Sequence, residues 1–97
     1  MAHEGRMSTV HVIITGRVQG VWYRAWTQKT AEKLSLSGWV RNRSDGSVEA
    51  LFCGPDDKVA EMLRQCRKGP MLARVDDIRQ SPGEAPDQPG FHFLANR

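Results

Sequence analysis

The residues best suited to chemistry lie in Gly16-Arg17-Val18-Gln19-Gly20-Val21-Trp22-Tyr23-Arg24, between an alternating run and a helical pattern. A glycine-bearing turn that feeds a helix N-terminus presents converging backbone N–H groups, an arrangement that holds phosphate. Arg24 falls in the first helical turn, where a cation opposes the helix dipole and anions are preferred. An arginine set against that field makes sense when an anion lies between it and the amides. Its planar fork of donors can grip two phosphoryl oxygens. The segment therefore reads as an oxyanion cradle, built from the backbone of Val18, Gln19, Gly20, Val21 and Trp22 together with Arg24. Further along, Asn42 offers an amide that can position a water but cannot deprotonate it.

The groups that are missing narrow the reaction. Beside the cradle no Cys or Ser pairs with a His, no metal-binding triad stands, and no Walker Lys-Ser/Thr ending follows the glycines. A phosphate monoester leaves as a poor alkoxide and needs an acid, a metal or a covalent nucleophile. A mixed anhydride of a carboxylic acid and phosphate expels a carboxylate instead, whose conjugate acid has a pKa of roughly 4. Such a leaving group needs no proton. Positioning and charge stabilisation of the transferring phosphoryl group can suffice.

These groups must be held by regular elements. Thr9 to Thr15 is β-branched except at His11, with Val10, Val12 and Ile14 on one face, which predicts a strand. Tyr23, Trp26, Thr27, Thr30, Ala31 and Leu34 form one helical stripe. Trp39 to Arg43 predicts a second strand, Ser44-Asp45-Gly46 a hairpin turn, and Ser47 to Cys53 the returning strand. Gly54-Pro55-Asp56-Asp57 opens a second helix, with Val59, Met62, Leu63 and Cys66 as its apolar stripe and Gly69-Pro70 as its stop. Val75 to Gln80 predicts a fourth strand, Ser81 to Gly90 a loop, and Phe91 to Leu94 a short closing strand.

The order β-α-β-β-α-β plus a short extra C-terminal strand predicts an α+β, ferredoxin-like split βαβ sandwich, with two helices on one face of an antiparallel sheet. The first and third strands of such a fold are usually neighbours, which puts the cradle and Asn42 at the same end of the sheet.

Ninety-seven residues with 39% apolar and 26% charged side chains suit one globular domain with a single core. Residues 1–7 read as a flexible leader and 8–97 as the domain. The net charge of +3 favours anionic ligands only weakly and makes no case for nucleic acid. Cys53 and Cys66 form no CxxC pair and have no zinc-ligand spacing with His3, His11 or His92; one bridge between them is conceivable, and two buried thiols in a reducing compartment are the expectation. With no apolar run of membrane-spanning length and no signal-peptide core, a cytoplasmic chain without membrane attachment is expected.

At this point a resemblance is specific. Gly16 to Arg24 resembles the first signature of the acylphosphatase family, and Gly38-Trp39-Val40-Arg41-Asn42-Arg43-Ser44-Asp45-Gly46-Ser47-Val48-Glu49, continuing to Gly54, resembles the second. The similarity runs from about Thr9 to about Ile78 and reaches toward the Phe93 strand; the Pro-rich 81–90 stretch and the leader fit it poorly. The resemblance implies a metal-free, cofactor-free hydrolase that splits small acyl phosphates into a carboxylate and phosphate. By position, Arg24 matches the family's phosphate-binding arginine, Asn42 its water-orienting asparagine, and Val18–Trp22 its phosphate loop. A monomer is the default expectation.

Plainer readings stand beside these. Arg24 alone would read as a solvated helix arginine, Asn42 as a hairpin residue bonding its own backbone, and Gly16 and Gly20 as relief of turn strain. Arg17, Arg41 and Arg43 read as solvent-facing, Tyr23 and Trp26 as core, and the histidines as incidental. A non-catalytic anion sensor would need the same cradle without turnover. A single-strand RNA binder would need exposed aromatics on the central strands, which offer only Phe52, itself a core residue by pattern. Similar domains also occur within larger carbamoyl-transfer maturation proteins.

Overall fold

The computed structural model describes residues 6–97. The elements are β1 (Met7–Arg17), α1 (Tyr23–Lys33), β2 (Ser37–Asn42), β3 (Val48–Pro55), α2 (Asp56–Cys66), β4 (Arg74–Pro82) and β5 (Phe91–Phe93). They form one sheet in the order β4-β1-β3-β2-β5. β1 pairs antiparallel with β3 and β4, and β2 antiparallel with β3. β1 and β2 therefore run the same way and finish at the same end.

The α+β ferredoxin-like architecture is borne out, with one difference. The expected antiparallel sheet holds for four strands, but β5 lies parallel to β2, with Gly38 opposite Phe91 and Val40 opposite Phe93. Chain direction explains this. β4 ends at the end of the sheet where β2 begins, and the connection crosses there, so β5 starts alongside the start of β2. Residue 83 marks the crossing: the Gly83 N–H donates to Thr9 O at 3.2 Å, and its surroundings are His11 and Leu51, on the face away from the helices.

Element edges also moved. β1 begins at Met7, inside the stretch read as a leader, and Arg6 O accepts from the Asp56 N–H at 3.1 Å; residues 1–5 of that reading, His3 included, lie outside the described residues. β4 takes Ser81 and Pro82 from the predicted loop. Backbone pairing extends both strands beyond their apolar pattern, β1 through Met7 opposite Pro55 of β3 and β4 through Pro82 opposite Val10 of β1.

The helix-facing side carries the core. Val12 and Ile14 of β1, Val40 of β2, Val48, Ala50 and Phe52 of β3 meet Tyr23 and Ala31 of α1 and Val59, Met62 and Cys66 of α2, all essentially buried. Phe91 stacks on Phe52, ring centroids 5.7 Å apart, which anchors the short β5 to the core. Each Val, Ile, Phe or Met among them contributes about 1.5–3 kcal/mol when fully buried. α1 closes through Ser35 at φ 58, with Leu36 N–H bonded back to Ala31 O at 2.9 Å, a Schellman-type stop made without glycine. α2 starts after Pro55, and Asp56 and Asp57 complement its dipole.

The opposite face is charged rather than bare. Glu49 accepts from Arg41 Nε at 2.7 Å and lies 2.6 Å from His11 Nε2, and the Arg41 guanidinium sits 4.9 Å from the centre of the Trp39 ring. Arg41 and His11 are thus structural partners rather than the solvent-facing and incidental residues expected from spacing. Burial opposes ionisation of Glu49, but the hydrogen bonds from Arg41 and His11 outweigh it and hold the carboxyl below its usual range. Both thiols are free; Cys66 is buried as expected, whereas Cys53 is only half-buried and accepts from Thr9 Oγ1 at 3.2 Å.

Candidate active site

Residues 18–22 link the end of β1 to the start of α1. Gly16 makes the approach possible: β1 shifts register against β4 between Thr15 and Gly16, and at φ 124 a Cβ there would lie 2.2 Å from Arg74 O. Val18 and Val21 sink into the core, 1% and 5% exposed, and pin the loop from beneath. The intervening backbone stays outside. Gly20 (φ 75) and Trp22 (φ 67) both adopt the left-handed region. Alternation of that kind turns successive N–H groups toward one side and forms an anion-binding concavity. Among the described residues, no backbone N–H from Gln19 to Trp22 donates to another backbone group; the first helical bond is Trp26 N–H to Trp22 O at 3.0 Å.

The loop is tied to the hairpin that carries Asn42. Gln19 Nε2 donates to Arg43 O and Ser47 O, both at 2.8 Å. The hairpin itself is closed by Arg43 N–H to Ser47 O at 2.9 Å, and Asp45 Oδ1 accepts from the Ser47 N–H at 2.9 Å. Asn42 ends β2, and its Oδ1 is buried with no hydrogen-bond partner, alone in this among the described residues' buried side-chain oxygens and nitrogens. A self-bonded hairpin asparagine would have used that oxygen. A buried acceptor left unpaired costs about 1–3 kcal/mol, and Asn42 carries that cost in the wall of the cleft between β1 and α1.

Arg24 is the second residue of α1, whose first turn contains no acidic residue. No carboxylate among the described residues pairs with it. Instead Nη1 donates to Asn96 Oδ1 at 3.3 Å, and the guanidinium lies 5.5 Å from the centre of the Phe93 ring. The residues after β5 continue along β2, with Leu94 N–H to Val40 O at 3.0 Å and Arg97 N–H to Asn42 O at 2.9 Å. One cleft of about 340 Å³ gathers Val18, Gln19, Gly20, Trp22, Arg24 and Asn42, and Phe93 borders it. Every residue read as part of the site except Val21 lines it; Val21 lies beneath.

Gln19 acts through its side chain as well as its backbone, and Phe93 and Asn96 join the site from a part of the chain that carries no local motif. The signal for Gln19 was its amide, which has two donors to place; for residues some 70 positions from Arg24, local spacing carried none. Tyr23 also reaches the cleft, but its hydroxyl donates to Cys66 O at 2.7 Å, and burial raises its phenol far above the ordinary range, so it stays protonated. Burial pushes the Cys66 thiol up to about 12. It is chemically quiet. Among the described residues, no group of three or more His, Cys, Asp or Glu side chains is arranged to hold a metal ion, and no helix is long and apolar enough to cross a membrane.

Fold and cleft together define an α+β ferredoxin-like protein in which the 18–22 loop, Arg24 and Asn42 share one cleft between the ends of β1 and β2. The family is equally clear: the acylphosphatase family model matches residues 10–93, and the chain is an enzyme of that family. Over 85 residues it is 64% identical to an acylphosphatase of Rhodospirillum rubrum, covering 88% of this chain and 93% of that one. It superposes on the structure of an acylphosphatase from Coxiella burnetii with a TM-score of 0.87 at 33% identity, over 97% of this chain and 99% of that one. A full-length HypF in phosphate- and nucleotide-bound form contains a similar region, with a TM-score of 0.85 at 26% identity, and the match occupies 13% of that longer chain.

Proposed function

We propose that this chain hydrolyses the carboxyl–phosphate bond of small acyl phosphates, with Arg24 and Asn42 as its catalytic residues. The phosphoryl group docks on the N–H groups of the Val18–Trp22 loop and on the Arg24 guanidinium. Asn42 Oδ1 accepts a hydrogen bond from a water held in line with the departing carboxylate. The water oxygen bonds to phosphorus, the bond from phosphorus to the acyl oxygen breaks, and the electron pair leaves on the carboxylate. The water's proton passes to a phosphoryl oxygen, because the cleft offers no strong base. The loop and Arg24 stabilise the equatorial charge of the transferring group.

The observation that carries this reading is the buried, unpaired Oδ1 of Asn42 in the same cleft as an arginine without a carboxylate. The reading includes a metal- and cofactor-free reaction and a monomer acting in the cytoplasm on a small molecule rather than on nucleic acid or at a membrane. Phosphate release from benzoyl phosphate in EDTA tests it, with Arg24→Gln and Asn42→Ala alongside. Turnover in EDTA that both variants lose supports it. Near-normal rates in both folded variants overturn the residue assignment, and phosphate binding without turnover makes the chain an anion sensor.

A further inference from the structure

The cleft of about 340 Å³ extends beyond the 18–22 loop and Arg24, and apolar side chains contribute much of its lining. Its two aromatic borders are unusual residues. Trp22 is 78% exposed and holds a left-handed backbone conformation, so a large apolar side chain is kept in water at a position that glycine would occupy without strain. Phe93 is 45% exposed at the end of β5, and its ring centre lies 5.5 Å from the Arg24 guanidinium. Core packing explains neither ring. Arg24 is also the one charged side chain among the described residues lining this cleft.

We infer that Trp22 and Phe93 form an acyl-group subsite that favours flat, uncharged, apolar acyl phosphates, aroyl phosphates above all. This rests on the proposed phosphate position in the cradle. With the phosphoryl group held by the loop and Arg24, the acyl group occupies the rest of the cleft, where Trp22 and Phe93 are both lining side chains. An acyl group bearing a second carboxylate or phosphate meets no further cation there and gives up hydration for nothing. A flat ring gains stacking and apolar contact.

Phosphonates test this without turnover. Benzylphosphonate and methylphosphonate share a head group and differ in the part that the subsite would hold. Calorimetric titration should show benzylphosphonate binding about tenfold more tightly, the range expected of an aromatic contact. Trp22→Ala should abolish that ratio, Phe93→Leu should reduce it, and Trp22→Phe should retain it. Equal affinities in the unaltered chain, or a ratio that survives both Trp22→Ala and Phe93→Leu, would overturn the subsite. Because neither ligand is hydrolysed, absence of turnover on benzoyl phosphate would count against the proposed reaction and leave this titration fully readable.

Discussion

Two arginines of this chain each lie against an aromatic ring, and their remaining partners differ. Arg41 on the open face of the sheet sits 4.9 Å from the Trp39 ring centre and donates to Glu49, which His11 also approaches. Arg24 sits 5.5 Å from the Phe93 ring centre and meets only the neutral amide of Asn96. Around Arg41, the positive charge is matched inside the protein. Around Arg24 the positive end of α1 and the loop N–H groups add to it, and the Asn42 oxygen beside them has no partner. The same residue type therefore reads as structure in one place and as a site in the other. What separates them is whether the protein satisfies its own polar groups.

That contrast can be broken from either side. The largest effect belongs to Arg24→Gln, which should lower turnover of benzoyl phosphate about a thousandfold, some 4 kcal/mol of transition-state stabilisation. Its melting temperature should hold or rise slightly, since removing a cation from a helix N-terminus relieves about 0.5 kcal/mol. A clear fall in melting temperature would make Arg24 a structural residue like Arg41. Asn42→Ala should cost about a hundredfold in kcat, read by the same phosphate-release assay.

On the open face the pattern reverses. Glu49→Ala strands Arg41 in a half-buried position and should cost about 2 kcal/mol of stability, less than a fully buried pair because the rim is wet. Denaturant titration measures it, and kcat at a permissive temperature should change little. The same group sets a pH limit. The folded-state pKa of Glu49 is depressed below the ordinary 4.5, so its contribution is complete above that pH and is lost as pH falls through the folded value. Melting curves recorded downward from about pH 4.5 should fall more steeply for the unaltered chain than for Glu49→Gln; parallel curves would remove Glu49 from the acid limb. The smallest effect is expected for Gln19→Ala, which unties the loop from the hairpin. A roughly tenfold loss in kcat/KM, with about 1 kcal/mol of stability, would mark it as a positioning residue. A loss of stability without the kinetic change would leave it a simple tether.

Much of the architecture was legible because its signals are local. Alternation in Thr9–Thr15 placed β1, and its even-numbered residues Val10, Val12 and Ile14 do face the helices. The 3.6-residue stripe that starts at Tyr23 placed α1, and Asp45-Gly46 placed the hairpin, with Gly46 at φ 94. The residues of the cradle were legible for the same reason, since a turn and the helix that follows it are contiguous. The hairpin turn at 44–46 sets Arg41 opposite Glu49, but that His11 of β1 closes on the same carboxylate was not legible, because it depends on β1 lying next to β3.

The sequence by itself determined which segments are strands and helices, where the glycine-bearing turn before α1 lies, and which family the chain resembles. Side-chain period, glycine at positive φ and the order of two signatures act over a few residues at a time. Only the tertiary structure decided that β5 runs parallel to β2, that Gln19 ties the loop to the hairpin, and that Phe93 and Asn96 meet Arg24 from the far end of the chain. These contacts depend on the path by which the chain crosses the sheet, and no short-range pattern encodes that path.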